Sequence, residues 1–411
     1  MKRQFRLHGQ QHGATTLLAV MLLFGVMAMM TIYANRNLLF ELRIANNHYR
    51  AGVAMEAADG GIEWSLGMLN GIHVDAACQA SGASVSSFRQ RYVVIDASSG
   101  MISPNQVAET VAGCIRQDAW VCSCPATGWT APIVAAEQLQ PGFRISFEPV
   151  DRAGVIRIVS QGCSSSSATE CDSPSSAVDA ALATDKVLLS AALVSALKMP
   201  PTMPLVVKGS VALGPEGLGL HNSSGLLLLS GGMASGLLES RLDSLPGSPV
   251  ELALITGNTE FAAKSADEMF AMYFGMAPAR YRDQPAMRMV ECPADCGSEL
   301  SAAYAKGVEL VWVEGPILLT SSLLGQTSHP MLIVVNGDLT IDGDLQMTGL
   351  LYVRGNLIWR NAQTSLLNGA LLVEGNLRLA GTVDIQYAKP VIERLNKQAG
   401  SFVRVPGSWW N

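Results

Sequence analysis

Charge is scarce in this sequence. Asp, Glu, Lys and Arg make up only 15% of the 411 residues, and the balance is acidic, at a net −6. No basic stripe exists to neutralise phosphates, so nucleic-acid binding is not expected. Aromatic residues are few, at 6%, while Gly is abundant, at 39 residues, a balance that favours strands and turns over a helical bundle. The sequence also lacks a G-x-S-x-G elbow, a phosphate loop and a His-Glu-x-x-His pair. The six histidines are scattered. On these grounds the chain is not expected to be an enzyme, and no cofactor is implied.

What is present begins at the N-terminus. Lys2, Arg3 and Arg6 make a basic leader that ends at Gly13, and residues 14–34 then run without a charge. About 20 apolar residues suffice to cross a bilayer as a helix. A secretion signal has a shorter apolar core and a small-residue cleavage site after it; here the small residue, Gly13, precedes the run. Positive charge before the span predicts a cytoplasmic leader and an outward-facing C-terminal bulk. From Asn35 the pattern turns amphipathic, with Leu38, Leu42, Ala45, Tyr49, Val53 and Ala57 at steps of three or four. One helix from about residue 14 to about 68, roughly 80 Å long, is expected. Gly60-Gly61 is its weak point, each Gly costing about 1 kcal/mol relative to Ala.

The basic leader ending in Gly, the apolar run flowing into an amphipathic helix, and Glu-Ala-Ala-Asp-Gly-Gly-Ile-Glu-Trp at 56–64 resemble the N-terminal region of the type IV pilin superfamily, and within it most of all the PilX-type minor pilins. The resemblance covers roughly residues 9–70. It implies cleavage by a prepilin peptidase after Gly13 and methylation of the new amine of Ala14. It further implies a single-pass protein of the inner membrane with its bulk in the periplasm, at the pilus tip after assembly, whose partners are other minor pilins and the major pilin. Major pilins carry a glutamate five residues into the mature chain, and here Leu18 stands in that place. A buried carboxylate needs a partner, so a subunit without one is suited to the tip, where it has no neighbour to neutralise; otherwise Leu18 is simply lipid-facing. Glu56, Asp59 and Glu63 form an acidic stripe at helical spacing, either a solvated face or a contact surface for neighbouring subunits.

Beyond the helix, residues 71–200 read as a cysteine-containing α/β domain like that of pilins. Strands are expected at 91–95, 143–149, 155–160 and 186–194, the middle two as a hairpin. The eight cysteines are Cys78, Cys114, Cys122, Cys124, Cys163, Cys171, Cys292 and Cys296. An even number behind a membrane segment suits disulfides in an oxidising compartment. Cys163–Cys171 and Cys292–Cys296 would close short loops and are the first expectations; the spacing of Cys122-Ser-Cys124 fits zinc poorly.

The second half repeats itself. Val-Lys-Gly-Ser-Val-Ala-Leu at 207–213, Val-Glu-Gly-Pro-Ile-Leu-Leu at 313–319, Val-Asn-Gly-Asp-Leu-Thr-Ile at 335–341, Val-Arg-Gly-Asn-Leu-Ile-Trp at 353–359 and Val-Glu-Gly-Asn-Leu-Arg-Leu at 373–379 share Val-x-Gly-x-apolar-x-apolar. The glycines at 315, 337, 355 and 375 recur about every 20 residues, a solenoid period. The fold class is therefore α+β: a long N-terminal helix, a small α/β domain and a β-rich C-terminal domain with parallel β-helix-like repeats. The expected divisions are leader 1–13, helix 14–70, α/β domain 71–200, solenoid 201–389 with an insertion at 214–309, and tail 390–411. Trp409-Trp410 in that tail reads as an interface anchor or as folded back onto the solenoid end. Asp338, Asp342 and Asp344 are the calcium or glycoside-chemistry candidates, but Asp338, Asn356 and Asn376 occupy related places in successive coils, which a turn role explains. Two alternatives to a pilus-assembly role follow, a membrane-anchored β-solenoid adhesin and an enzyme acting on polysaccharide.

Overall fold

The computed structural model describes residues 12–82, 86–105, 111–126, 140–164, 183–320, 322–361 and 363–410, with the backbone alone at 12–14. Its first element is a helix of 58 residues, His12–Leu69, about 87 Å long at 1.5 Å per residue. The molecule is α+β, as its pattern of elements requires.

Behind the helix stands an antiparallel sheet of six strands. In spatial order they are Gly400–Arg404, Thr184–Ser195, Val155–Cys163, Gly142–Pro149, Ala112–Arg116 and Trp120–Ser123. The hairpin around Asp151 is present, with Pro149 opposite Ile156. The strand expected at 91–95 is present over Val93–Ile95, and its first two residues belong instead to the helical turn Phe88–Tyr92, closed by a capping box between Ser87 and Gln90. The box satisfies two orphan amides reciprocally, and it outweighs the apolar run that follows it. The C-terminal segment adds a helix and a strand. Lys389–Lys397 is a helix, and Gly400–Arg404 is the edge strand of the sheet, antiparallel to Thr184–Ser195. The chain thus leaves the sheet after Ser195 and returns at Gly400, with the solenoid between.

The solenoid is built of two parallel sheets, of 12 and six strands. Leu345–Val353 and Ser365–Val373 stack in register, Gly349 on Gly369 and Val353 on Val373. Their first halves alternate buried and half-exposed residues, and their second halves are buried throughout. In those second halves Leu351, Val353, Leu371 and Val373 enter the inner core, whereas Leu350, Tyr352 and Leu372 enter a second core on the other face. Strands covered on both faces read as continuous apolar runs. The covering comes from Phe270 and Phe274 of helix Ala266–Phe274, and from Ile392 and Leu395 of helix Lys389–Lys397.

The insertion expected at 214–309 is only partly one. Leu218–His221 stacks on Val383–Gln386, and Leu228–Ser230 stacks on Leu205–Val207. Leu242–Asp243 and Leu254–Ile255 form a further, short rung. Residues 214–255 therefore continue the stack, and the short, Gly-interrupted strands hide the repeat. Leu205–Val207 also pairs with Leu371–Val373, and Val211–Leu213 with Leu377–Leu379. One rung is thus composite: its first strand comes from residues 383–386 and the others from residues 205–213. The chain enters and leaves the solenoid in this rung.

Candidate functional site: the exposed apolar helix and its anchorage

Two parts of the long helix differ in surroundings. From Thr15 to Tyr49 the residues are exposed; Leu18 is 65% and Phe24 75% exposed. This is the one helix among the described residues that is long and apolar enough to cross a membrane. Residues 15–49 span about 52 Å at 1.5 Å per residue, more than the roughly 30 Å of a bilayer's hydrocarbon. Gly13 and Ala14 lie in the helical backbone at its start. The first acidic residue of the helix is Glu41, so no carboxylate accompanies Leu18.

The second part is anchored. Ala54, Ala58, Ile62, Leu66 and Leu69 are buried at spacings of three and four, the stripe that a helix on a sheet requires. Small residues bring the backbones close. A Cβ on Gly162 of the sheet would overlap the Ala54 carbonyl oxygen and the Ala58 amide, and one on Gly61 would meet the Phe143 ring at 2.8 Å. Gly61 is therefore a packing position, not the weak point that its helix propensity implies. Trp64 meets Phe88 edge-on at 5.3 Å and Phe143 at 5.5 Å, extending the aromatic core under the helix.

The C-terminal segment clasps the same helix. Asn70 exchanges two hydrogen bonds with the backbone of Phe402, at 2.9 and 2.7 Å. Arg404 forms an ion pair with Glu63, and the Trp409 indole donates to Asp59 at 3.2 Å. Two members of the acidic stripe are thus engaged within the chain, while Glu56 is exposed. Trp410 pairs through its backbone with Leu188, so the Trp pair folds back onto the sheet and the helix rather than onto the solenoid end.

The disulfides pin the small domain. Cys78 bonds Cys124, and Cys114 bonds Cys122 across the hairpin of strands Ala112–Arg116 and Trp120–Ser123. Cys292 bonds Cys296. Cys163 is also disulfide-bonded, while Cys171, and with it the expected Cys163–Cys171 bridge, lies outside the described residues. Among the described residues no cysteine is free, and no group of three or more His, Cys, Asp or Glu is placed to hold a metal ion.

The acidic candidates of the solenoid do not converge. Asp338 accepts hydrogen bonds from the Asn356 amide and side chain, Asn356 accepts the same pair from Asn376, and Asn376 accepts from the amide and hydroxyl of Ser210. The ladder climbs the turns of four rungs. Asp342 instead faces Arg360 at 3.6 Å. A second ladder was not anticipated from sequence. Asn336 donates to Glu314 at 2.6 Å, Arg354 donates to Asn336 at 3.0 Å, and Arg354 pairs with Glu374 at 3.3 Å. These four fill the x of Val-x-Gly, and that shared place in the repeat is the signal that could have found them. Glu374 is buried and also accepts from the Tyr352 hydroxyl at 2.9 Å. Burial pushes its carboxyl up, and Arg354 opposes the shift.

No protein-family model matches this sequence, and no curated protein matches it. Among solved structures the chain matches the crystal structure of the competence-associated pilin ComZ from Thermus thermophilus, at 10% identity over 88% of this chain and 97% of that one, with a TM-score of 0.23. A likeness at that TM-score carries no argument, and the fold stands on its own elements.

Proposed function

We propose that this chain is a minor pilin or pseudopilin that takes part in type IV pilus assembly, in a priming or tip complex, with a structural and not an enzymatic role. The observation that carries the proposal is the two-part helix: one unbroken rod, exposed from Thr15 to Tyr49 and without a charge as far as residue 34, then docked by a small-residue stripe on an antiparallel sheet. A helix apolar all round needs lipid or other helices as its surroundings. The exposed part supplies both in turn, first as a single-pass anchor in the inner membrane and then among the helices of a fibre core. The partners are other minor pilins and the major pilin. The sheet and solenoid, together more than five-sixths of the residues beyond the leader, would crowd a thin fibre if repeated along it, and Leu18 offers no carboxylate to a neighbour; both favour the tip. The test is mass spectrometry of the mature N-terminus from cells with and without the prepilin peptidase. Methylated Ala14 in the first and an intact leader in the second are expected. Identical masses in the two would sink the proposal.

A further inference from the structure

Where the end of the long helix meets the solenoid there is a cavity of about 200 Å³. Arg89, Arg288, Arg394 and His329 line it, and Glu309 is the single carboxylate in its wall. That excess of positive charge is local, in a chain whose net charge is −6.

The three guanidiniums are held by neutral groups. Arg89 donates to the carbonyls of Gly400, at 3.0 Å, and Gln398. Arg288 donates to Asn70 at 2.7 Å and to Pro285 at 2.6 Å, and Arg394 donates to Ser328 at 2.6 Å. No ion pair to any of the three is present among the described residues, while Glu309 is turned to His329 at 2.9 Å. Each guanidinium has five N–H donors, so the carbonyls fix its position and leave donors over. Loss of water holds Arg89 down at about 10, with Glu309 only partly offsetting it, the behaviour of a desolvated cation short of countercharge. His329 is pushed up by its bond to Glu309, which adds to the positive side.

We propose that this cavity binds a small multivalent anion, one carrying two or more carboxylate or phosphate groups. Forked guanidiniums match both groups bidentately, and three of them on different elements select a ligand with several acidic groups over a monovalent one. The cavity is independent of the pilus role and stands or falls without it.

The test uses the full chain in detergent micelles, with citrate and pyrophosphate as probes and acetate and chloride at matched ionic strength as controls. Calorimetry is expected to show citrate or pyrophosphate binding at least tenfold tighter than acetate, and at least tenfold weaker in Arg288→Gln and Arg394→Gln. In the unmutated protein, citrate is expected to protect Arg89, Arg288 and Arg394 from phenylglyoxal, read residue by residue by mass spectrometry. That readout stands even if a variant does not fold. Equal labelling with and without the multivalent anions, or protection only by phosphatidylglycerol vesicles, overturns the proposal.

Discussion

Gly60 and Gly61 are adjacent in the long helix, yet they have opposite surroundings. Gly60 faces open space, whereas a Cβ on Gly61 would press into Ser160 and Phe143. Gly60→Ala is therefore expected to stabilise by about 1 kcal/mol, the ordinary gain in helix propensity. Gly61→Ala is expected to destabilise by about 1–3 kcal/mol through overpacking. Urea unfolding of the detergent-solubilised chain separates the two; equal effects would mean that the helix does not dock here. Glu374 gives a prediction about pH. Its carboxyl is raised in the folded state, so its proton is held more tightly there than in the unfolded chain. Stability from this group is fullest below the ordinary carboxyl pKa and falls as pH rises through the raised one. Glu374→Gln keeps an acceptor for Tyr352 and Arg354 and should remove that decline. Thermal melts of both proteins from acidic to neutral pH check it, and parallel curves would place the slope elsewhere.

Among the elements, the C-terminal strand Gly400–Arg404 closes the sheet, and residues 402–409 hold the helix through Asn70, Glu63 and Asp59. Truncation after Gln398 is expected to free the edge of Thr184–Ser195 and expose the Phe402 site. Limited proteolysis should then cut between the helix and the sheet domain, where the full chain resists. An unchanged digestion pattern would mean that the clasp is dispensable. This strand was not legible in sequence, because its partner lies about 200 residues earlier and five residues carry too little periodicity to declare a pairing. The long helix, the hairpin around Asp151 and the coils of 313–379 were legible, since each is written in a local pattern. The close approach at Gly61 and Gly162 was not, because it depends on what stands opposite. The turn role of Asp338 was legible from the recurrence of Asp and Asn beside Gly, while the Glu314–Asn336–Arg354–Glu374 ladder occupies equally regular positions but with dissimilar residues.

At the scale of the molecule, the composite rung ties the architecture together. Leu205–Val207 lies between Leu371–Val373 on one side and Leu228–Ser230 on the other, so two halves of the stack, distant in sequence, meet in this rung, as they also do at its Val211–Leu213 and Val383–Gln386. In a solenoid each rung contacts only its neighbours, and a break in the middle interrupts the whole more than one at an end. Val206 is fully buried against the covering helices, whereas Leu254, in the terminal rung, is half-buried. Val206→Asp places an unpaired carboxylate in that core and is expected to exceed about 4 kcal/mol of destabilisation. Leu254→Asp is expected to cost less than half as much and to fray one end. The rung also fixes where the chain enters and leaves, at Leu205 and Gln386, so its loss should loosen the junction with the sheet and the helix clasp together. Thermal unfolding, with hydrogen exchange to locate the loss, distinguishes the cases. If Val206→Asp loosened only residues 214–255 and left the clasp protected, the two halves would be independent, and the composite rung would be a contact and not a keystone.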